Sequence, residues 1–130
     1  MPGIFSKIVS GDITCHKIAE NDRFLAFLDV FPLAEGHVLV IPKQEVDYIF
    51  DLEREVYRDL WSFASEVASA IKKSIPCVKV GVAVIGLEVQ HAHIHLVPIN
   101  KVGDINFEKP KLNPSQEALA QTAEKIRKAL

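Results

Sequence analysis

The stretch His91-Ala92-His93-Ile94-His95-Leu96-Val97 alternates a histidine with an apolar residue three times over. Side chains of an extended strand point to opposite faces in turn. The alternation therefore predicts a strand over 91–99 that sets Ala92, Ile94 and Leu96 into a core and the three histidines together on the other face, about 7 Å apart. A lone histidine in a small domain is ordinarily a surface or hydrogen-bonded core residue. Here three of the chain's 5 histidines fall within five positions in strict alternation, which marks one face of the strand as chemical.

Two chemistries suit such a face. A neutral imidazole is a good nucleophile near pH 7, and neighbouring donors stabilise the charge that grows on phosphate oxygens as a phosphoryl or nucleotidyl group moves. Histidines two apart on a strand are also good ligands for zinc and other transition metals. The metal reading needs a further ligand, and no adjacent Asp, Glu or Cys pattern plainly supplies one.

Outward from this strand, Val78 to Ile85 reads as another, containing Gly81 and closed by Gly86. Before it, Leu60, Ala64, Val67 and Ile71 form a helical stripe that Trp61, Ala68 and Ile75 widen. Asp51 is its expected cap, with Glu53 and Glu55 in the first turn and Pro76 as its end. His37 to Ile41 is nearly all apolar and ends at Pro42, as a strand covered on both faces would. Segments 16–19 and 24–29 flank the polar cluster Glu20-Asn21-Asp22-Arg23 and read as a hairpin. At the N-terminus Ile4, Phe5 and Ile8 have helical spacing, stopped by Gly11. After a polar loop over 101–112, Asn113-Pro114-Ser115-Gln116 supplies an N-cap, a first-position proline and a capping-box glutamine. The helix that follows, about 114–129, carries Leu119, Ala123, Ile126 and Leu130 on one face. The expected fold is α+β: a five-stranded antiparallel sheet with one long helix, a short N-terminal helix and a C-terminal helix. One domain over 1–130 is expected, with a core about 3–100.

The 130 residues are 48% hydrophobic and 25% charged, a balance that argues against a disordered or fibrous chain. A net charge of -2 without any basic block gives no support for a grip on nucleic acid. Cys15 and Cys77 form no metal or redox spacing and read as free thiols. No apolar run reaches the roughly 20 residues of a membrane span, and no targeting region is visible, so a cytoplasmic location without membrane attachment is expected.

The run HAHIHLV resembles the motif His-φ-His-φ-His-φ-φ (φ apolar) that names the histidine-triad (HIT) family. The segments Phe24-Leu25-Ala26-Phe27-Leu28-Asp29-Val30 and Glu35-Gly36-His37-Val38-Leu39-Val40-Ile41-Pro42-Lys43 are similar to that family's other signature, and IFSKIVSGDI to its N-terminus. The resemblance implies the nucleoside phosphoramidase or dinucleoside polyphosphate hydrolase branch. His93 would then be the nucleophile that forms a nucleotidyl-histidine intermediate at the α-phosphorus, flanked by His91 and His95, with His37 as the fourth, upstream histidine. Asp29 would hold the ribose hydroxyls, and Ile4, Phe5, Ile8, Phe27 and Val30 would surround the base. A homodimer and a nucleotide or nucleotide-conjugate substrate are implied, and no cofactor.

The likeness fails at Gly86-Leu87-Glu88-Val89-Gln90, where family members usually carry Gly-Gln-Ser/Thr after an asparagine. Glu88 stands where a phosphate-contacting hydroxyl is expected. Some relatives hold a structural zinc with Cys-x-x-Cys and a later histidine. Gly3, Ser6 and Glu45 occupy those positions here, so no metal is expected. The alternatives to a HIT-type hydrolase or transferase are a nucleotide-binding regulator with little turnover and a metal-dependent enzyme built on the histidine cluster.

Overall fold

The computed structural model describes residues 3–130. Residues 1 and 2, included in the expected domain, lie outside the described residues. A short helix α1 (Ile4–Ser10) leads into β1 (Lys17–Glu20), β2 (Phe24–Leu28) and β3 (Val38–Pro42); the long helix α2 (Arg54–Ser74) precedes β4 (Lys79–Ala83) and β5 (Ile94–Ile99), and α3 (Gln116–Lys128) follows. The strands form one sheet in the order β1-β2-β3-β5-β4, antiparallel at every step. This is the α+β fold expected.

Strand periodicity sorts the apolar residues onto two faces. Phe24, Ala26 and Leu28 of β2, Val38 and Val40 of β3, and Ile94 and Leu96 of β5 pack with Leu60, Ala64, Val67 and Ile71 of α2 and with Leu119, Ala123 and Ile126 of α3. The intervening residues Leu25, Phe27, Leu39 and Ile41 face the other way and gather round Phe5 of α1. Both faces of β2 and β3 are thus covered, which is why these strands carry no polar alternation. Each large apolar side chain so buried contributes about 1.5–3 kcal/mol.

Several boundaries move for identifiable reasons. Asp51 does not cap α2: it closes a 3-10 turn, Ile49–Asp51, that buries Ile49 and Leu52, and Glu53 takes the cap position instead. Asn113 and Pro114 do not open α3. The Ser115 hydroxyl accepts the Ala118 N–H at 3.0 Å, making Ser115 the cap, and Gln116 turns to His16 Nε2 at 2.8 Å rather than completing a capping box. Leu130 lies beyond the helix and is exposed. The fifth strand begins at Ile94, not His91. The register that pairs Val40 with Ile94 would set Pro42 opposite Ala92, and proline has no N–H for the ladder. The Ala92 N–H goes to Val46 O at 2.7 Å instead.

The turn that delivers His37 depends on Gly36, whose φ is 93° and whose missing Cβ would lie 3.0 Å from Ile75 Cγ1 and 3.2 Å from Pro98 Cγ. Gly11, at φ 88°, has open space around it. Gly36→Ala is therefore expected to lower stability by about 1–3 kcal/mol, through strain and crowding together, and by more than Gly11→Ala. Urea denaturation measures this as a lower midpoint at unchanged slope. Equal midpoints for the two variants would contradict the packing described for Gly36.

Candidate functional site

His91 and His93 lie in the extended approach to β5 and His95 within it, directly opposite Leu39 of β3 and Ala83 of β4. Ala92, Ile94 and Leu96 point into the main core, so the expected division of faces holds even where regular pairing has stopped. The imidazoles stand close together, with 4.8 Å between the ring centroids of His93 and His95 and 5.2 Å between those of His37 and His95. All four are nearly enclosed: His37 and His91 are 1% exposed, His93 6% and His95 8%.

Backbone groups fix which nitrogen carries each proton. The Leu33 N–H donates to His37 Nδ1 at 3.0 Å, so a neutral His37 holds its proton on Nε2. That Nε2–H faces His95 Nδ1 at 3.0 Å and donates to it, which puts the proton of His95 on Nε2. His93 Nδ1 lies 2.7 Å from the His91 carbonyl oxygen, an acceptor only, so the proton of His93 is on Nδ1 and its Nε2 lone pair is free. His91 Nε2 donates to Pro42 O at 2.8 Å, which ties this ring to the end of β3.

Burial favours the neutral form of His37, His93 and His95. It pushes His37 down to about 4 and His95 to about 3, with neighbouring positive charge adding to both shifts. Burial also lowers His93, opposed by its hydrogen bond to the His91 carbonyl. Asp29, whose N–H donates to His37 O at 3.1 Å, is raised by burial, against the hydrogen bond its Oδ1 accepts from Phe31 N–H at 2.9 Å. One oxygen of Asp29 thus shapes a turn while the other, Oδ2, stands 3.8 Å from His37 Nε2.

Of the apolar candidates, Phe5, Ile8 and Phe27 come together. The Phe5 ring lies 5.6 Å from Phe27, 5.6 Å from His91 and 5.1 Å from His93. Ile4, 50% exposed, and Val30, 40% exposed, are not part of that cluster. Glu88 is exposed in the loop before the triad, close enough for its charge to disfavour ionisation of Asp29. Leu25, Leu39 and Ile41 were not foreseen at this face, although the two-residue period of their strands places them there. Phe107 was not foreseen either, since a loop has no period to read; its ring lies 4.6 Å from His95 and 6.2 Å from His37.

Two places bear on metal. Asp29, His37 and His95 offer ligand atoms within 4.8 Å of one another, so the third ligand absent from the local sequence comes from β2 and its turn. At the N-terminus, Gly3 N–H and the Ser6 hydroxyl both donate to Glu45 Oε1, at 2.8 and 2.7 Å. Gly3 brings no side chain and Ser6 a neutral hydroxyl, a poor fit to zinc, which favours thiolate and imidazole. Here a hydrogen-bonded carboxylate joins α1 to the segment after β3, and those bonds hold Glu45 below the usual carboxylate range.

Neutral, buried His37 and His95 make stability depend on pH. In the unfolded chain they protonate as pH falls through about 6.5, whereas in the fold they stay neutral to about 4 and about 3. The unfolded state then binds more protons, so their contribution is complete above pH 6.5 and is lost as pH falls toward the folded values. Thermal midpoints should fall between pH 6.5 and 5, and less steeply in His37→Gln. Parallel slopes for the two proteins would show that His37 is not held neutral.

The HIT domain family matches residues 10–102. An uncharacterised HIT-like protein of Helicobacter pylori is 38% identical over 101 residues, covering 75% of this chain and 97% of the relative. Adenosine 5'-monophosphoramidase hnt1 of Schizosaccharomyces pombe is 37% identical over 99 residues, covering 75% and 74%. The crystal structure of a HIT-like protein from Bartonella henselae superposes with a TM-score of 0.84 at 27% identity, covering 98% of this chain and 96% of that one. With its fold and more than half its length matched, the chain belongs to the HIT domain family.

Proposed function

We propose that the chain is a nucleotide hydrolase or transferase that acts at the α-phosphorus of a nucleoside phosphoramidate or dinucleoside polyphosphate. The observation that carries this is the orientation of His93: its Nδ1–H is spent on the His91 carbonyl, leaving the Nε2 lone pair as the nucleophile. Nε2 attacks phosphorus, an N–P bond forms, and the bond to the leaving group breaks with its electron pair. The leaving group takes a proton from solvent. Water then attacks the same phosphorus, the N–P electrons return to Nε2, and a proton is released. His95, with its proton on Nε2, donates to a phosphate oxygen throughout, and its donor is set in advance by His37. His91 contributes by holding His93 in place.

In this reading Asp29 accepts from the ribose hydroxyls, Phe5, Ile8 and Phe27 form the wall for the base, and Ile4 and Val30 complete it at the surface. The activity named for the fission-yeast relative supports the phosphoramidate option. A homodimer is part of the proposal. β4 is an edge strand, and Val78, Val82, Val84 and Ile85 on and beside it are exposed, an arrangement that a second copy pairing along the edge would cover. Among the described residues no helix is long and apolar enough to cross a membrane. Free Cys15 and Cys77 accord with a cytoplasmic, reducing location.

The grouping of Asp29, His37 and His95 favours one second reading, a metal-dependent enzyme using these three ligands. A metal there would take the nitrogens that His37 and His95 now use on each other, so we place it second.

Three outcomes are expected. Incubation with adenosine phosphoramidate or diadenosine polyphosphate should add the mass of one nucleotidyl group, mapped to His93, and His93→Ala should abolish turnover while keeping its fold; an adduct on His91 or His95 would overturn the assignment. EDTA should leave activity intact, whereas loss restored by zinc or manganese would favour the metal reading. If Glu88 faces the phosphate, its repulsion at about 4 Å amounts to roughly 4 kcal/mol before screening at an effective dielectric near 20. Glu88→Ser should then tighten nucleoside monophosphate binding about tenfold, or about 1.4 kcal/mol. Unchanged or weaker binding by calorimetry would mean that Glu88 turns away.

A further inference from the structure

His95 is anchored in β5, but an imidazole on a strand can still turn about its outer side-chain bond. Two acceptors stand near the proton on which its orientation depends. His37 Nε2 lies 3.0 Å from His95 Nδ1 and 3.8 Å from Asp29 Oδ2. An ionised carboxylate is the stronger acceptor of the two, so a small rotation of His95 would release the His37 proton to Asp29. Something must hold the His95 ring within reach and keep water from replacing it.

Phe107 is placed to do both. Its half-buried ring lies 4.6 Å from His95 at 63° and 6.2 Å from His37 at 75°, so it meets both partners of the hydrogen bond. The chain stations this ring without regular secondary structure. Asn106 Oδ1 accepts the Glu108 N–H at 3.0 Å and Asn106 O accepts the Lys109 N–H at 3.2 Å, a turn with Phe107 at its second position. Further on, the Leu112 N–H donates to Pro32 O at 2.9 Å. That bond ties the segment to the loop between β2 and β3, which begins at Asp29 and ends at His37. With Phe107 in place, His95 is 8% exposed and His37 1%.

We propose that Phe107 is a positioning residue: it covers the His37–His95 hydrogen bond, excludes water from it, and keeps His95 Nδ1 rather than Asp29 Oδ2 as the acceptor of the His37 proton. The family match ends at residue 102, so this cover is supplied by the chain beyond it. Phe107 acts on the reaction through His95, whose Nε2–H then points where a phosphate oxygen is to be met. In that respect the inference rests on the nucleotide reading above. The wall proposed for the base gathers round Phe5, at the other end of the histidine row, so Phe107 bears on turnover more than on binding.

Exchange of the imidazole protons with solvent, read by NMR on the full chain, tests the cover without any substrate. In Phe107→Ala the His37 Nε2 proton should exchange about tenfold faster or more. The His91 Nε2 proton, which is bonded to Pro42 O at 2.8 Å on a ring that meets Phe5, should keep its wild-type rate. Phe107→Leu retains an apolar cover and should restore most of the protection. An unchanged rate at His37, equal acceleration at His37 and His91, or a Leu variant as fast as the Ala variant would each overturn the inference. With adenosine phosphoramidate, Phe107→Ala should lower kcat about tenfold and change KM by about twofold at most. A rise in KM alone would make Phe107 a substrate contact and not a positioning residue. If the wild-type chain turns over no nucleotide while Phe107→Ala still exposes the His37 proton selectively, the nucleotide reading fails and the cover stands.

Discussion

The hydrogen bond from His37 Nε2–H to His95 Nδ1, buried and 3.0 Å long, is the constraint on which the site depends. It transmits a choice made by the backbone. The Leu33 amide points its hydrogen at His37, so His37 must present a proton to His95, and His95 must carry its own proton on the far nitrogen. The same device, a main-chain group as arbiter, turns the lone pair of His93 outward through the His91 carbonyl. Main-chain groups cannot change their donor or acceptor character with pH. Neutral imidazoles locked to them form a preorganised pair of one free lone pair and one donor, the pair that the proposed function requires, and enclosure strengthens both by removing competing water.

The sheet makes that enclosure possible. β2 and β3 bury residues on both faces, so the histidine face lies beneath a second, smaller apolar cluster rather than open to solvent. The carboxylate of Glu45 holds α1, and therefore Phe5, against this face through Gly3 and Ser6. Gly36 permits the left-handed turn that brings His37 to the start of β3 beneath Ile75 and Pro98. The packing of backbone to side chain at Gly36 and the tautomer of His95 are therefore links in one chain of dependence.

Much of this was legible in the residue order. Alternation at His91, His93 and His95, and continuous apolarity at His37 to Ile41, were sufficient to foresee one chemical face and one strand covered on both sides. Ends of elements were less legible because they turn on single hydrogen bonds. Ser115 rather than Asn113 caps α3, and a 3-10 turn displaces Asp51 from α2. Pro42 shortened β5 through a missing N–H on a strand about fifty positions away, information that exists only once the register is known. Phe107 was invisible for a different reason: a loop has no period, and its place beside His95 exists only in the folded chain. The family resemblance implies a ribose ligand at Asp29, and its two oxygens divide between a turn and the histidines.

The central claim is that backbone groups hold three neutral imidazoles in defined tautomers at pH 7, and long-range proton–nitrogen correlation of the side-chain rings by NMR tests it most directly. The account predicts His93 protonated on Nδ1, with His37 and His95 protonated on Nε2. A neutral His93 protonated on Nε2, or charged rings at His37 and His95 near pH 7, would contradict it.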